Sequence, residues 1–427
     1  MCDLRRTVIG VCAIAVFASG ARAGAATVPL TVDEAVQRAL DHNLTLVAER
    51  YALAIADARM LTAQLRPNPV FTTNAMFPDA TVFDNNVSPR EQVYRTDVVI
   101  ERGGKRERRI EVARAARSVA ELQFMNTMRT IVLDVQQAFV DVLLAKQNVA
   151  IARESLAAFD ALVAVNVERV RTGDLSHVEL ARSRLAALQF QNDLRLQDSK
   201  LTVARGRLNT LLGWSGSDAV DAVGELRRDA QPIDLETLRA RSLMQRPDLQ
   251  ALRADQARSA AELRLQLAEG KFDYTISGEL HHQHQPGPPE AGGFLYGVSA
   301  SVPLPIFNRN QGEIARVRGE TAQLEARLRA FEADINREVE AAYTSYSAAR
   351  DVVSTIESQM LTQARDVRAT TEYSYRSGEA SFVEFLDAVR AFNETMQSYN
   401  EARAEFARSL YTLDSIAGVS TPPKVAP

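Results

Sequence analysis

Two stretches of almost seventy residues each contain no proline and hardly any glycine, and they limit what this chain can fold into. One runs from about Gly104 to Thr172, and the other runs from about Gln311 to Ser377. At about 1.5 Å per residue, a single helix of that length spans roughly 100 Å, which exceeds the helices of globular domains. Apolar residues in the second stretch start at near-heptad spacing and then drift, which is typical of a helix that packs against several others with little supercoil. The sequence therefore predicts two coiled-coil-like rods.

The rods belong to two halves of the chain, which contain the same elements in the same order at an offset of about 200 residues. Each half is predicted to open with a helix. Thr31 and Glu34 form a capping box, and Asp234 is a good N-cap at the matching place. We expect these opening helices to run to the breakers Pro67 and Gly270.

Two segments with alternating apolar and polar residues separate the opening helix from the rod in each half. In the second half the apolar positions are Phe272, Tyr274, Ile276, Leu280, Phe294, Tyr296 and Val298. In the first half they are Phe71, Thr73, Ala75, Phe77, Tyr94, Thr96, Val98 and Ile100. A period of two over about nine residues suits a membrane-barrel strand with apolar residues outward, or an ordinary sheet packed on a soluble core. If the strands lie in a membrane, we expect Phe272, Tyr274, Ile276, Tyr296 and Val298 to face lipid.

Each strand pair is joined by a segment rich in turn formers, predicted to be an exposed loop from Pro78 to Arg90 and from His281 to Gly293. The second loop holds His281, His282 and His284. Imidazoles bind zinc, copper, cobalt or nickel, so these residues are weak metal-ligand candidates. The alternative is a solvated surface loop with no groups to orient the imidazoles.

The rods end in a repeated motif. The first half has Arg171, Gly173, Leu175, Ser176 and Glu179; the second has Arg376, Gly378, Ala380, Ser381 and Glu384 at the same spacing. Glycine can adopt the left-handed conformation that ends a helix, and serine followed by glutamate three residues later starts a new one. The motif predicts a sharp helical hairpin at the end of each rod, followed by shorter return helices that end near Gly213 and Gly418.

The N-terminus has the pattern of a cleaved signal peptide over residues 1–23. Arg5 and Arg6 precede a short apolar run, and a small-residue site follows at Ala21–Ala23. The alternative is an inner-membrane anchor. Both cysteines, Cys2 and Cys12, fall in this segment, so the mature chain would contain neither a disulfide nor a thiolate metal site.

Composition excludes several classes of protein. Hydrophobic residues make up 46% and charged residues 24%, which argues against disorder, and the formal net charge of −4 without a basic patch argues against nucleic-acid binding. No catalytic constellation is visible. After the signal segment no apolar run approaches the roughly 20 residues of a membrane helix, so a membrane could be crossed only by strands. Four strands cannot close a barrel, so several copies would have to join.

The mature sequence resembles the TolC-like outer-membrane efflux factors over nearly its whole length. The resemblance rests on the duplicated order of elements, the two tip motifs, and the segments Arg66–Phe71, Glu101–Lys105 and Val302–Gly312. The last two segments look most like the cobalt–zinc–cadmium branch. The resemblance implies a homotrimer with a twelve-stranded barrel, a helical tunnel in the periplasm, no cofactor, and docking to a periplasmic adaptor and an inner-membrane RND-type pump.

The family narrows its tunnel at the periplasmic end, where two acidic residues and a tyrosine match Glu384, Asp387 and Tyr375. In a trimer the acids would form a negative ring that attracts cations. The family often has an arginine nearby, but this chain has Ala380 there. Glu384 could alternatively serve only the Ser381 cap, and Tyr375 only packing. The expected adaptor contacts are Arg171, Gly173, Leu175, Ser176, Arg376, Gly378 and Ser381.

We therefore expect a mainly α fold with β-strands, divided into a first repeat at 24–230 and a second at 231–427. The expected function is an outer-membrane exit duct for divalent heavy-metal cations, with no enzymatic activity. The alternatives are a drug-efflux duct of the same family and a periplasmic coiled-coil scaffold without a channel.

Overall fold

The computed structural model of the chain describes residues 28–76, 90–214, 220–229, 233–284 and 293–418. The predicted signal segment with Cys2 and Cys12, the strand residue Phe77, residues 78–89 and residues 285–292 lie outside the described residues. The helices are α1 Val32–His42, α2 Leu44–Gln64, α3 Lys105–Thr172, α4 His177–Leu211, α5 Leu235–Gln245, α6 Pro247–Glu269, α7 Gln311–Thr355, α8 Leu361–Ser377 and α9 Phe382–Ile416. The strands are β1 Val28–Leu30, β2 Val70–Met76, β3 Arg90–Ile100, β4 Val220–Ala222, β5 Tyr274–His284 and β6 Gly293–Ser301.

The two predicted rods are present with nearly the predicted bounds. The first is α3, an uninterrupted helix of 68 residues. The second is formed by α7 and α8, which are joined without a break in the chain's helical path by a π-helical segment at Ile356–Met360. Glu357 in this segment accepts hydrogen bonds from the Tyr399 hydroxyl at 2.8 Å and from the Arg228 guanidinium at 2.8 Å. These contacts fix the locally wider turn, which the sequence pattern did not predict.

The opening segments differ from the prediction, because each is two helices and not one. The capping box of Thr31 and Glu34 starts α1, and Asp234 caps α5, both as predicted. However, Asn43 ends α1 in an extended conformation, and its side chain accepts hydrogen bonds from the amides of Thr45 and Leu46 to start α2. Arg246 has the same extended conformation between α5 and α6, where Pro247 occupies the first helical turn. Local capping at Asn43 and Pro247 therefore divides each opening segment into two helices.

The return helices end against these breaks. Asn43 donates a side-chain hydrogen bond to the carbonyl of Leu211 at 2.8 Å, and a Cβ on Gly213 would lie 2.3 Å from the carbonyl oxygen of His42. In the second half, a Cβ on Gly418 would lie 2.8 Å from the carbonyl carbon of Gln245. Both glycines have a left-handed φ, of 60° and 73°. As a result α4 is stacked end to end on α2 beside α3, and α9 is stacked on α6 in contact with both rods.

Four strands form one antiparallel sheet in the order β2–β3–β5–β6. The central pair, β3 and β5, comes from different halves, with Tyr94 opposite Leu280. Leu280 in turn lies opposite Tyr296 on β6, and Thr73 on β2 lies opposite Tyr94. The two halves are thereby joined at the centre of the sheet, while β2 and β6 are its edges. The short strands β1 and β4 form a separate parallel pair.

The second strand pair differs in its bounds from the prediction. Phe272 precedes β5, which starts at Tyr274, and β5 continues through His281–His284, which were predicted to lie in a loop. The extension has a structural cause, because His281 pairs with Val93 and Leu295 in the neighbouring strands, and His282 pairs with Gln92 and Phe294.

A buried charged cluster joins the halves where the helix stacks meet. Arg129 of α3 donates to Asp248 of α6 at 3.2 Å and to the carbonyl of Ser415 at 3.1 Å, and only 9% of its side chain is exposed. Arg246 binds Asp248 at 2.7 Å and Glu338 of α7 at 2.6 Å. Burial raises the pKa of Asp248, but the hydrogen bond from Arg246 and the charges of both arginines outweigh it and lower that pKa below its ordinary value.

Candidate functional site

One face of the sheet is apolar and exposed. Tyr274, Ile276, Tyr296 and Val298 lie on it, as predicted from the alternation, and the side chains of Tyr296 and Val298 are 83% and 86% exposed. Phe272 lies just before β5, where its ring meets the Tyr274 ring edge-on at 5.6 Å. Exposure of this extent on aromatic and branched side chains marks a surface that another apolar phase covers.

The opposite face of the sheet has a network of paired charges on its central strands, while Val70, Met76 and Leu295 lie on the same face at the edge strands. Arg95 of β3 binds Asp97 at 2.7 Å and Glu279 of β5 at 3.0 Å. His281 lies between two carboxylates, with Glu91 at 2.9 Å from Nδ1 and Glu279 at 3.2 Å from Nε2. The sheet therefore has one apolar surface and one surface with a charged centre, where charges of both signs are in contact across β3 and β5.

The histidine candidates do not form one metal site in the described part of the chain. His281 and His282 are neighbours in β5 and so point to opposite faces of the sheet. His281 lies on the charged face, whereas the ring of His282 packs against Phe294 with centroids 4.7 Å apart. Among the described residues no group of three or more His, Cys, Asp or Glu side chains is placed to hold an ion. The backbone of His284 continues the strand.

The tips of the two rods have the same backbone geometry. Gly173 has a φ of 85° and Gly378 a φ of 83°, which is the left-handed conformation that the motif predicts. The following amide, of Asp174 or Glu379, donates to a carbonyl inside the helix at 2.8 Å in both tips. Space is open around both glycines, so the backbone conformation alone favours glycine there.

The two serine caps are not equivalent. Ser381 and Glu384 form the full capping box, in which the Ser381 amide donates to the Glu384 carboxylate at 2.7 Å. Ser176 accepts from the Glu179 amide at 3.2 Å, but the reciprocal bond is not formed, so the predicted box is only half present. The hydrogen bond from the Ser381 backbone lowers the pKa of Glu384 below its ordinary value. Glu384 and Asp387 are both exposed on the first turns of α9.

Tyr375 is buried at the tip, with 4% of its surface exposed. Its ring stacks on Phe385 at 5.4 Å, and its hydroxyl donates to Asn166 of α3 at 3.2 Å. The surrounding apolar cluster contains Phe159, Ala186, Phe382, Phe385 and Val389. In the single chain Tyr375 thus packs the two rods together, while the acidic residues predicted to act with it lie at the surface.

The remaining predicted tip residues surround this cluster. Arg171 is paired with Glu168 and Arg376 with Glu372, both at 2.7 Å and both largely exposed, while Leu175 is half-buried. A cleft of about 460 Å³ opens beside them between α3 and α8, and Asn166 and Arg368 are among its lining residues. The tip therefore combines a rigid buried centre with an exposed, charged and concave surface.

A stripe of exposed apolar side chains follows the α4–α2 stack. It consists of Val178, Leu185, Leu188, Leu196 and Val203 on α4 and of Leu44, Tyr51, Ile55 and Leu61 on α2. Many of the spacings are three, four or seven residues, which is the pattern of a helix that packs against a partner. In the described regions, none of the helices combines the length and apolar character that a membrane-spanning helix needs.

Sequence reasoning missed three groups that the structure brings together: the charged face of the sheet, the Asn166–Tyr375 bond and the Arg129–Asp248 cluster. Arg95 and Asp97 lie in a segment that was predicted to be a strand from its apolar positions alone. Asn166 interrupts the buried face of α3, and a polar residue in that register is the signal that could have indicated a specific partner.

Comparison with known proteins identifies the family. The family described as outer membrane efflux protein matches residues 35–214 and again 238–419. The cobalt-zinc-cadmium resistance protein CzcC of Cupriavidus metallidurans is 26% identical over 393 residues, which cover 91% of this chain and 90% of that protein. Two solved structures share the fold. The CusC channel matches with a TM-score of 0.74 and 16% sequence identity, and the match covers 97% of this chain and 98% of CusC. The outer-membrane channel OprN matches with a TM-score of 0.72 and 19% sequence identity, and the match covers 91% of this chain and 89% of OprN.

These matches confirm the predicted TolC-like family, the mainly α fold with β-strands and the outer-membrane location. The relatives are channel proteins and not enzymes, as expected from the sequence. The chain belongs to the outer membrane efflux protein family.

Proposed function

We propose that three copies of this chain form a twelve-stranded barrel in the outer membrane and a helical tunnel in the periplasm. In this proposal the assembly is the exit duct of a tripartite RND-type pump, and its cargo is divalent heavy-metal cations. Residues 1–23 are the cleaved signal, and the repeats at 24–230 and 231–427 each contribute two strands and one helical hairpin to the protomer.

The observation that carries the proposal is the four-stranded sheet with two open edges and one exposed apolar face. Within the described residues, β2 and β6 each have one side without a strand partner. In hydrocarbon every backbone amide and carbonyl needs a hydrogen-bond partner, so an open sheet cannot stay there. Pairing β6 of one copy with β2 of the next satisfies both edges. The apolar face with Tyr296 and Val298 then points to lipid, and the charged face with Arg95 and Glu279 points to the lumen.

The apolar stripe on the α4–α2 stack supports assembly with further copies. It starts near the tip at Val178 and reaches Leu61 close to the sheet, so it extends along the protomer. A barrel closed by three sheets brings the helices below it side by side, and neighbouring copies would then cover this stripe. Burying it stabilises the tube at about 25 cal/mol per Å² of apolar surface.

The tip is where we propose that the periplasmic adaptor docks. Arg171, Gly173, Leu175 and Ser176 of the first hairpin would contact it with Arg376, Gly378 and Ser381 of the second. The exposure of all these residues except the half-buried Leu175, and the cleft between α3 and α8, support this role. Glu384 and Asp387 are exposed on adjacent turns of α9, which supports a negative ring in the trimer. Tyr375 supports the gate indirectly, by holding α8 and α9 against α3.

The metal cargo is supported by the relative CzcC, whose name describes cobalt, zinc and cadmium resistance. A negative ring favours divalent cations over anions, which agrees with such a cargo. The alternative is a drug-efflux duct of the same family, since the duct accepts what its pump delivers. Survival of a deletion strain in zinc, cobalt, cadmium and common drugs distinguishes the two, because each cargo predicts sensitivity to a different set of compounds.

Two neighbouring residues of β6 test the barrel. Val298→Arg places a charge on the apolar face and should cost about 2–4 kcal/mol if the residue lies at mid-membrane, so that outer-membrane assembly falls. Ser299→Arg places the same charge on the opposite face and should assemble nearly as well as the wild type. Equal assembly of both variants, quantified in outer-membrane fractions, would contradict a lipid-facing Val298.

A further inference from the structure

The junction between the sheet and the long helices holds an arginine fixed on two aromatic rings. The Arg102 guanidinium lies 4.8 Å from the Phe272 ring centre and 5.2 Å from that of Tyr274, and it donates to the Tyr274 hydroxyl at 3.0 Å. The Arg102 amide donates to Asp273 at 2.9 Å. Tyr274 belongs to the apolar face of the sheet, so this guanidinium is held where that face ends.

Two more exposed cations lie at the same junction. Lys271 packs so closely on Gly103 that a Cβ there would lie 2.7 Å from the Lys271 Cδ atom. The Arg309 carbonyl lies against Gly270, at 2.8 Å from where a Cβ would be. Among the described residues, Arg102, Lys271 and Arg309 form no ion pair. The buried Lys105 nearby, by contrast, binds Asp273 at 2.8 Å. Three cationic residues therefore lie together at this end of the sheet, and the Arg309 guanidinium there donates to the carbonyl of Pro305 at 3.2 Å.

Apolar side chains stand beside these cations. Leu304, Ile306 and Phe307 follow β6 in an irregular segment that turns at Ile306, and they are 74%, 62% and 90% exposed. Leu304 and Phe307 share a cleft of about 580 Å³ with Phe272 and Lys271. Three large apolar side chains are thus exposed within four consecutive residues. Such an exposed apolar patch is unfavourable in water and marks a surface that interacts with another apolar phase.

We propose that this junction binds an anionic glycerophospholipid of the inner leaflet, with Arg102, Lys271 and Arg309 on the headgroup phosphate and Leu304, Ile306 and Phe307 among the acyl chains. The inference rests on the proposed barrel, because the barrel places the end of the apolar face at the membrane–water boundary. Aromatic side chains and arginines are favoured at that depth, and the guanidinium matches two phosphate oxygens at once.

Charge complementarity identifies the occupant. The cations require an anion, and the adjoining apolar side chains require a hydrocarbon partner. A phospholipid carries both parts at the spacing of a headgroup and its chains, and the surface is continuous with the proposed lipid-facing strands. Free phosphate would leave Phe307 and Ile306 in water.

The test uses the mature protein with Trp214→Phe and Phe307→Trp, so that the only tryptophan reports from the junction. The protein is reconstituted into vesicles of equal parts phosphatidylcholine and phosphatidylglycerol, with bromine on the acyl chains of one lipid at a time. We expect brominated phosphatidylglycerol to quench the fluorescence more strongly than brominated phosphatidylcholine. Arg102→Gln, Lys271→Gln and Arg309→Gln should each lower this preference, by about fivefold per cation.

The matched control is the double variant Arg327→Gln with Arg329→Gln. It removes two exposed charges from α7 at a distance of about 24 Å or more from the start of that helix at the junction. These variants should keep the preference. Equal quenching by both lipids in the wild-type background would overturn the inference, as would a preference that survives the triple substitution. If added inorganic phosphate abolishes the preference for phosphatidylglycerol, the three cationic residues bind a free anion, and the lipid proposal is wrong. A protein that fails to float with the vesicles would contradict the barrel itself, which separates that failure from failure of the lipid site.

Discussion

The hydroxyl of Tyr375 in α8 donates a hydrogen bond to Asn166 in α3 at 3.2 Å, and both side chains are almost fully buried. This bond joins the two repeats close to their tips, in a cluster otherwise made of aromatic and aliphatic side chains. Tyr375 therefore links α8 to α3 within the single chain.

Tyr375→Phe should destabilise the tip, because it leaves the Asn166 carbonyl oxygen unsatisfied in a buried site while the ring stacking on Phe385 remains. The expected loss is about 1–3 kcal/mol in the free energy of unfolding, measured by denaturant titration of the purified protein. Tyr373→Phe is the matched control, since Tyr373 is 72% exposed, and it should change little. Equal midpoints for both variants would mean that the hydrogen bond contributes nothing.

Gly378→Ala should weaken the second hairpin. The new methyl group meets no atom within 4 Å, so the cost comes from a φ of 83° and amounts to about 1–2 kcal/mol. Gly206→Ala is the control, because it also meets no atom within 4 Å but lies inside α4, where alanine is favoured. Adaptor crosslinking at the tip should fall for Gly378→Ala and persist for Gly206→Ala. Wild-type crosslinking in both would remove the tip from the adaptor contact.

The double variant Glu384→Gln with Asp387→Asn separates charge from capping. Glutamine can complete the Ser381 capping box, so the hairpin should remain folded while the proposed ring loses its charge. Cation selectivity in planar-bilayer recordings should fall, whereas Glu394→Gln farther along α9 should leave it unchanged. Because the pKa of Glu384 lies below that of an ordinary glutamate side chain, more than half of the Glu384 carboxylates should stay charged at a pH of ~4.3, the ordinary value, so part of the wild-type selectivity should persist there. Unchanged selectivity in the double variant would exclude the ring.

Asp248→Asn should be strongly destabilising, by about 3 kcal/mol, because Arg129 then stays buried without its carboxylate. Asp334→Asn breaks an exposed pair with Arg337 and should cost less than about 1 kcal/mol. The native pKa of Asp248 is depressed, so its contribution is present above the unfolded value of about 3.9 and is lost as the pH falls through the native pKa. The difference in unfolding free energy between wild type and Asp248→Asn should therefore shrink below about pH 4. A difference that is constant with pH would contradict this ionic role.

The sequence predicted those features whose cause is local. The left-handed glycines at 173 and 378, the capping box at Ser381 and the bounds of α3 depend on residues only a few positions apart, and all are present. The breaks at Asn43 and Arg246 also had local signals, an asparagine cap and a proline at the first turn, but the prediction placed the helix ends only at the later breakers Pro67 and Gly270.

Features that depend on partners distant in the chain were not predictable in this way. His281 and His282 extend β5 because residues of β3 and β6 pair with them, and that register separates the two imidazoles that the sequence places side by side. The burial of Tyr375 depends on Asn166, which lies 209 residues earlier. Motifs therefore identified the tip and the strands, while tertiary contacts decided which of their side chains are structural.

Disulfide crosslinking between the sheet edges tests the central claim most directly. With residues 1–23 removed as proposed, the chain contains no native cysteine, and Thr72 of β2 lies on the same face as Gly297, Ser299 and Ser301 of β6. Within one chain these edges are three strand spacings apart, about 14 Å, which is too far for a disulfide. Thr72→Cys combined with a cysteine at 297, 299 or 301 should give covalent trimers in outer-membrane fractions for at least one pair. A chain that stays monomeric with every pair, and that remains in the water-soluble fraction, would contradict a barrel shared among copies.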